Sequence, residues 1–326
     1  MKGFADASYV HAKVYGLRSQ LLSRNDYAGL LAGSALDRFF SGLPAQPAPA
    51  QCTQVKEDIF RRSIRGILSL AEALGTYEKL FKAFLRLFEA RNVKLMLARA
   101  LGAGPVDGQW YDIRPYASFS RADIDAVSSW EDCAALISRS YLGQLVVDTG
   151  RPGFEEIESR VDLHCLSALF AAAEELPASD RYVVREAVLM GCAMLKILWS
   201  RRLERQYGWG RTAIDDHLAP IAALSKKCAH DNCGTKLRFF QRRLHGMLKK
   251  AGDQLGAPDS LFEQQAEQEL YGYMRSLCAT DFHSISCVVG YLWLLYWQIR
   301  NLFTVIEGIR FSLPAETITE ALIFEA

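Results

Sequence analysis

Long hydrophobic runs are missing from this chain. The longest apolar stretch, Cys287 to Trp297, covers eleven residues including Gly290 and runs straight into Gln298, Arg300 and Asn301. That is well short of the roughly 20 residues a membrane span needs, so the stretch reads as a buried core helix. A net charge is missing too: 38 basic residues stand against 37 acidic ones, leaving +1. Nothing global therefore attracts nucleic acid or an anionic membrane. The opening Met1-Lys2-Gly3-Phe4-Ala5-Asp6 has no hydrophobic signal segment, so secretion is not expected. Cysteines occur at 52, 133, 165, 192, 228, 233, 278 and 287 but show no framework spacing, and they read as reduced, buried thiols of a cytosolic protein.

Motifs for chemistry are equally scarce. Gly102-Ala103-Gly104-Pro105-Val106-Asp107-Gly108 lacks Gly-Lys-Ser/Thr and puts a proline where phosphate-binding amides are needed, so it reads as a turn between helices. Cys228-Ala229-His230-Asp231-Asn232-Cys233 has three possible zinc donors without knuckle spacing or a second cysteine pair. Asp162, His164 and Cys165 lie so close on one helix that they mostly point apart. No Glu-x-x-His pattern suggests facing metal ligands, and His11, His217, His245 and His283 have no evident partner. The expectation is a protein with no catalytic residues, cofactor or metal.

What the sequence does have is helical periodicity. Half the residues are hydrophobic. Leu80, Phe84, Leu87 and Phe88, like Tyr9, Ala12, Val14 and Leu17, recur three or four apart on one face. The best strand candidate, Arg139 to Asp148, looks equally like a helix ending near Gly150. The reading is all-α. Turns are expected at Gly42–Ala50, Gly102–Gly108, Arg151-Pro152-Gly153 and Gly256–Asp259. None is long enough for a flexible linker, so one continuous body is expected.

Charge is unevenly spread. Lys196 to Lys250 carries 13 basic and 4 acidic residues, and Ala251 to Ala326 carries 3 and 10. This asymmetry fits either a polar docking surface or helix faces that neutralise one another.

Internal similarity is more informative. Glu89-Ala90-Arg91-Asn92-Val93 and Gln298-Ile299-Arg300-Asn301-Leu302 share an acid or amide, then Arg-Asn, then an apolar run. Between them Gly191 and Met194 occupy the corresponding places in a third helix. Positions 92, 194 and 301 are separated by nearly a third of the chain, which points to three related helical lobes: 1–115, 116–222 and 223–326. A fainter echo pairs Tyr27-Ala28-Gly29 with Tyr141-Leu142-Gly143. Arg and Asn inside an apolar helix need hydrogen-bond partners. The two readings are structural, with the polar groups tying a helix pair together, and functional, with the groups lining an opening around a partner helix. The structural one is preferred, because two lobes cannot both touch one partner identically.

At these residues the chain resembles a family of V/A-type (vacuolar/archaeal-type) ATPase components, the C-type proteins of prokaryotes and the d-type proteins of eukaryotes. The likeness rests on Tyr9, Ala12, Val14, Ser19, Leu21 and Leu22 at the start, on Glu89 and Asn92, and above all on the C-terminal order. There Tyr291-Leu292-Trp293 is followed by Gln298-Ile299-Arg300-Asn301-Leu302, Gly308, Arg310 and Leu313-Pro314-Ala315-Glu316-Thr317-Ile318. Gln298 stands where the family has an acid, and Gly191 and Met194 depart from it in the middle. The resemblance implies a funnel of three pseudo-threefold lobes, a non-catalytic central-stalk adaptor. It would sit as a peripheral component on the cytoplasmic side of the membrane, between the rotor shaft and the membrane rotor ring, and couple ATP synthesis or hydrolysis to ion translocation. The candidate rotor contacts are Arg201, Arg202, Arg205, Lys226, Lys227, Arg242, Arg243, Lys249 and Lys250. The alternative is an unrelated helical scaffold that binds peptides in a groove.

Overall fold

A computed structural model describes residues 9, 12–32, 40, 47–73, 75–103, 108–145, 151–228, 235–253, 259–280 and 285–324. Among these residues there is no strand, as the periodicity predicts. The helices are α1 (12–18), α2 (Arg24–Leu31), α3 (Pro49–Ala73), α4 (Glu78–Leu101), α5 (Arg121–Asp125), α6 (Trp130–Ser138) and α7 (Phe154–Glu174). They continue as α8 (Ala178–Arg205), α9 (Arg211–His217), α10 (Ala219–Cys228), α11 (Thr235–Asp253), α12 (Asp259–Thr280), α13 (Ile285–Arg310) and α14 (Ala315–Ala321).

The chain divides into two compact units, Met1–Glu78 with His245–Ala326 and Lys79–Leu244. The first is built on α13, whose apolar residues face every direction, so it must be covered on all sides. Helices α12 and α3 pack against it. Gly290 makes the α12 approach possible, since a Cβ there would lie 2.6 Å from the Met274 carbonyl oxygen. Proline opens α3 at Pro49, where a missing N–H costs nothing.

In the second unit α7 and α8 form a helical hairpin, turned by Pro177 at the α8 start. Ala90, Val93, Met96 and Leu97 of α4 share a core with Phe119, Ile124, Cys133 and Ile137 and with Ile157 and Val161 of α7. Periodicity leaves Arg139–Asp148 between strand and helix. The helix stops at Ser138, and a short 3-10 turn follows at Gly143–Leu145, while 146–148 lie outside the described residues. Only glycine fits at 143, because a Cβ would come within 2.8 Å of the Ser138 carbonyl oxygen.

Candidate functional site: two repeated backbone clamps

The residues singled out by their repetition lie on α4 and α13, and the two asparagines do the same thing in both places. Asn92 is 1% exposed; its Nδ2 donates to the Tyr111 carbonyl at 2.9 Å and its Oδ1 accepts the Tyr111 amide at 3.0 Å. Asn301 is 2% exposed and holds Ile323 by the same pair of bonds, both 2.9 Å. A side-chain amide is the one neutral group with a donor and an acceptor side by side, so it satisfies both backbone groups of a residue that has no ladder or helix to join. The partners belong to connecting segments, not to a facing helix.

Three residues earlier, the acid or amide does a second task. Glu89 Oε1 accepts the amides of Ser118 and Phe119, the latter at 3.2 Å. Gln298 Oε1 accepts the Leu22 amide at 2.6 Å. In each case the held residue directly precedes a helix start of one type. Leu22 leads into Ser23, which caps α2 in a reciprocal box with Asp26; Phe119 leads into Ser120, which caps α5 in the same way with Asp123. The turn before the Asn adds an aromatic: Phe88 stacks on Tyr111 at 6.1 Å, and Trp297 meets Tyr271, which in turn meets Phe324. The unit of repetition is therefore aromatic, Glu or Gln, two residues, then Asn.

The arginines between acid or amide and asparagine each lie near a tyrosine ring. Arg300 pairs with Glu267, and its guanidinium lies 5.9 Å from the Tyr296 ring, while that of Arg91 lies 5.9 Å from the Tyr111 ring. The acid and amide do not share an electrostatic state. Burial pushes the Glu89 carboxyl above its ordinary value of 4.5, opposed by the Ser118 and Phe119 amides and by Arg86. Its second oxygen finds no hydrogen-bond partner among the described residues.

The third helix carries neither the acid or amide nor the asparagine. On α8, Gly191 is buried and Met194 half-buried, and the helix start that follows, Trp209-Gly210-Arg211, shares the apolar residue, the small cap and the Arg but not the reciprocal box. Here the Trp209 amide is taken by the Leu203 carbonyl of α8 itself at 2.9 Å, across a tight turn with Gly208 at φ +69°. With the helix end reaching the next start directly, no side chain is needed to hold it. Gly210 caps α9 without a side-chain bond. Leu22-Ser23-Arg24-Asn25-Asp26 and Phe119-Ser120-Arg121-Ala122-Asp123 share an apolar residue, Ser, Arg and Asp in the same order, and Trp209-Gly210-Arg211 shares the first part of it.

The candidate rotor contacts lie on three helices. Arg201 and Arg202 are half-buried and Arg205 exposed in the last turns of α8, with Arg202 5.4 Å from the Trp199 ring. Cations suit that negative helix end. Arg242, Arg243 and Lys249 are on α11, outside its buried stripe of Leu237, Phe240 and Leu244. Lys226, Lys227 and Lys250 lie on α10 and α11, with side chains outside those described.

Asp162, His164 and Cys165 do not form a reacting group. Asp162 accepts Lys94 Nζ at 2.7 Å and Trp199 Nε1 at 3.0 Å, while burial pushes the Cys165 thiol up to about 12 and depresses His164. The Cys228–Cys233 run lies almost wholly outside the described residues, as do His11 and His283. Among the described residues no group of three or more His, Cys, Asp or Glu could hold a metal ion, and no helix is long and apolar enough to cross a membrane. A groove of about 750 Å³ opens beside the α13 clamp, bounded by Leu22, Asp26, Arg62, Arg65, Tyr291 and Gln298.

A family model described as ATP synthase (C/AC39) subunit matches residues 10–321. No curated protein matches the chain.

Proposed function

The chain belongs to the ATP synthase (C/AC39) subunit family, and from that premise we propose that it is a non-catalytic central-stalk adaptor of a rotary V/A-type ATPase. It joins the rotor shaft to the membrane rotor ring as a peripheral component on the cytoplasmic face and transmits torque without making or breaking bonds. The carrying observation is the extent of the match, residues 10–321 of 326. Support comes from how the polar residues in α4 and α13 are used. Glu89, Asn92, Gln298 and Asn301 are consumed in fixing the chain's own backbone, which suits a body that must resist twisting. The three related helix starts support three related lobes. The basic residues of α8, α10 and α11 are the contacts this reading assigns to acidic partner surfaces, and contacts of that kind weaken as salt rises.

The test is to solubilise membranes in detergent and purify on a tagged copy of the full chain. ATPase shaft and ring proteins are expected to accompany it, and reversing charge at Arg201, Arg242 and Arg243 together is expected to weaken that association and its salt dependence. Recovery of the chain without any other ATPase component overturns the proposal. An extended peptide from an unrelated protein seated in the α13 groove would instead favour the scaffold reading.

A further inference from the structure

Cys278 lies in the last turn of α12 and Cys287 in the first turn of α13, and their sulfurs stand 3.9 Å apart where these two helices pack. Both residues are buried, at 0% and 1% exposed. Their closeness follows from the helix approach at Gly290. A Cβ there would lie 2.9 Å from the Cys278 amide nitrogen and 3.0 Å from its Cβ, so the backbones touch at this point. Cys287 lies three residues earlier on α13, on the same face as Gly290, and is thereby presented to Cys278. Arg18 of α1 donates to the Cys278 carbonyl at 2.7 Å and fixes this end of α12.

We propose that Cys278 and Cys287 form a reversible oxidation site, a dithiol that closes to a disulfide and staples the α12–α13 hairpin when a hydroperoxide reaches it. One sulfur takes an oxygen from hydrogen peroxide, releasing water and becoming a sulfenic acid. The second sulfur attacks it, the S–S bond forms, and the hydroxyl leaves with the second thiol's proton as another water. The sum is two thiols and one peroxide going to one disulfide and two waters. Closing from 3.9 Å to the roughly 2 Å of a disulfide requires only a modest movement of two side chains that already face each other. In the reduced state the sulfur–sulfur contact and burial hold the Cys278 thiol above its ordinary value of 9.0, against the opposing pull of Arg18. The pair is therefore quiet until a small oxidant enters.

The experiment uses the purified full chain. It is exposed to hydrogen peroxide while folded, then unfolded, alkylated and digested with trypsin. No Lys or Arg lies between Arg275 and Arg300, so both cysteines fall in the peptide Ser276–Arg300. The expected product is that peptide two hydrogens lighter and without alkyl label, restored to the doubly labelled form by dithiothreitol. In Cys287→Ser the two-hydrogen loss is expected to vanish. Overturning results are a doubly alkylated peptide after peroxide, a link from either cysteine to another peptide, or irreversible sulfinic and sulfonic products without the link. The wild-type digest decides the matter even where the variant fails to fold.

Discussion

The clamp in one unit and the clamp in the other share geometry and differ in charge. On α4 the helix start is held by a carboxylate, Glu89, taken almost wholly out of water; on α13 it is held by the neutral amide of half-buried Gln298. The asparagines that follow are interchangeable in distance and burial. A buried amide oxygen does the acceptor's work without the desolvation cost of a charge, so the shared geometry requires only the oxygen. The Asn requirement is stricter, because no other side chain of that length offers a neutral donor and acceptor together.

The comparison breaks most visibly at the asparagines. Asn92→Ala and Asn301→Ala each leave a buried N–H and a buried C=O unpaired, at roughly 1 to 3 kcal/mol apiece, so each is expected to cost about 2 to 6 kcal/mol. Urea unfolding measures the loss, and hydrogen exchange at the Tyr111 and Ile323 amides shows whether it is local. Met194→Asn, at a half-buried position, is expected to leave stability unimproved. Equal tolerance of alanine at 92 and 301 would mean the clamps are incidental.

The helix starts sharpen it at a smaller scale. Ser23→Ala and Ser120→Ala each remove a capping oxygen and are expected to cost about 1 kcal/mol. Gly210→Ser is expected to gain at most a few tenths of a kcal/mol, glycine being already a tolerable cap. Thermal unfolding of the three variants side by side ranks them.

The smallest effect at any one pH belongs to the charge difference itself. The folded pKa of Glu89 is raised, so in the window between 4.5 and its folded value the folded protein holds more protons than the unfolded chain. Stability present below that window is lost as pH rises through it. Glu89→Gln keeps an acceptor oxygen and is expected to match the wild type in acid, exceed it near neutrality and flatten the profile. Among the described residues Arg86, Tyr141 and Cys165 interact with Glu89, and the two groups that its charge raises, Tyr141 and Cys165, are pushed up mainly by burial, which this variant leaves in place. A wild type that grows more stable above the window, relative to Glu89→Gln, would show that the backbone amides and Arg86 outweigh burial.

Much of this was legible in the residues. The apolar run Cys287–Trp297 announced a buried helix, and Arg-Asn directly after it announced polar groups that need partners. What could not be read was which partners. Tyr111 and Ile323 lie 19 and 22 residues beyond their asparagines, in segments with no periodicity of their own. Gln298 reaches back 276 residues to Leu22. On α8 the Leu203 carbonyl accepts the Trp209 amide, a bond that Gly191 and Met194 do not announce.

Sequence by itself determined the helical class, the place of the core helices, the caps and the two Arg-Asn pairs, because these depend on spacing within a turn or two of chain. Tertiary structure alone decided that the asparagines grip backbone, that Glu89 and Gln298 hold helix starts, and that Cys278 meets Cys287. Each of those pairings joins residues that no local pattern connects, and only the packing of one segment on another brings them within bonding distance.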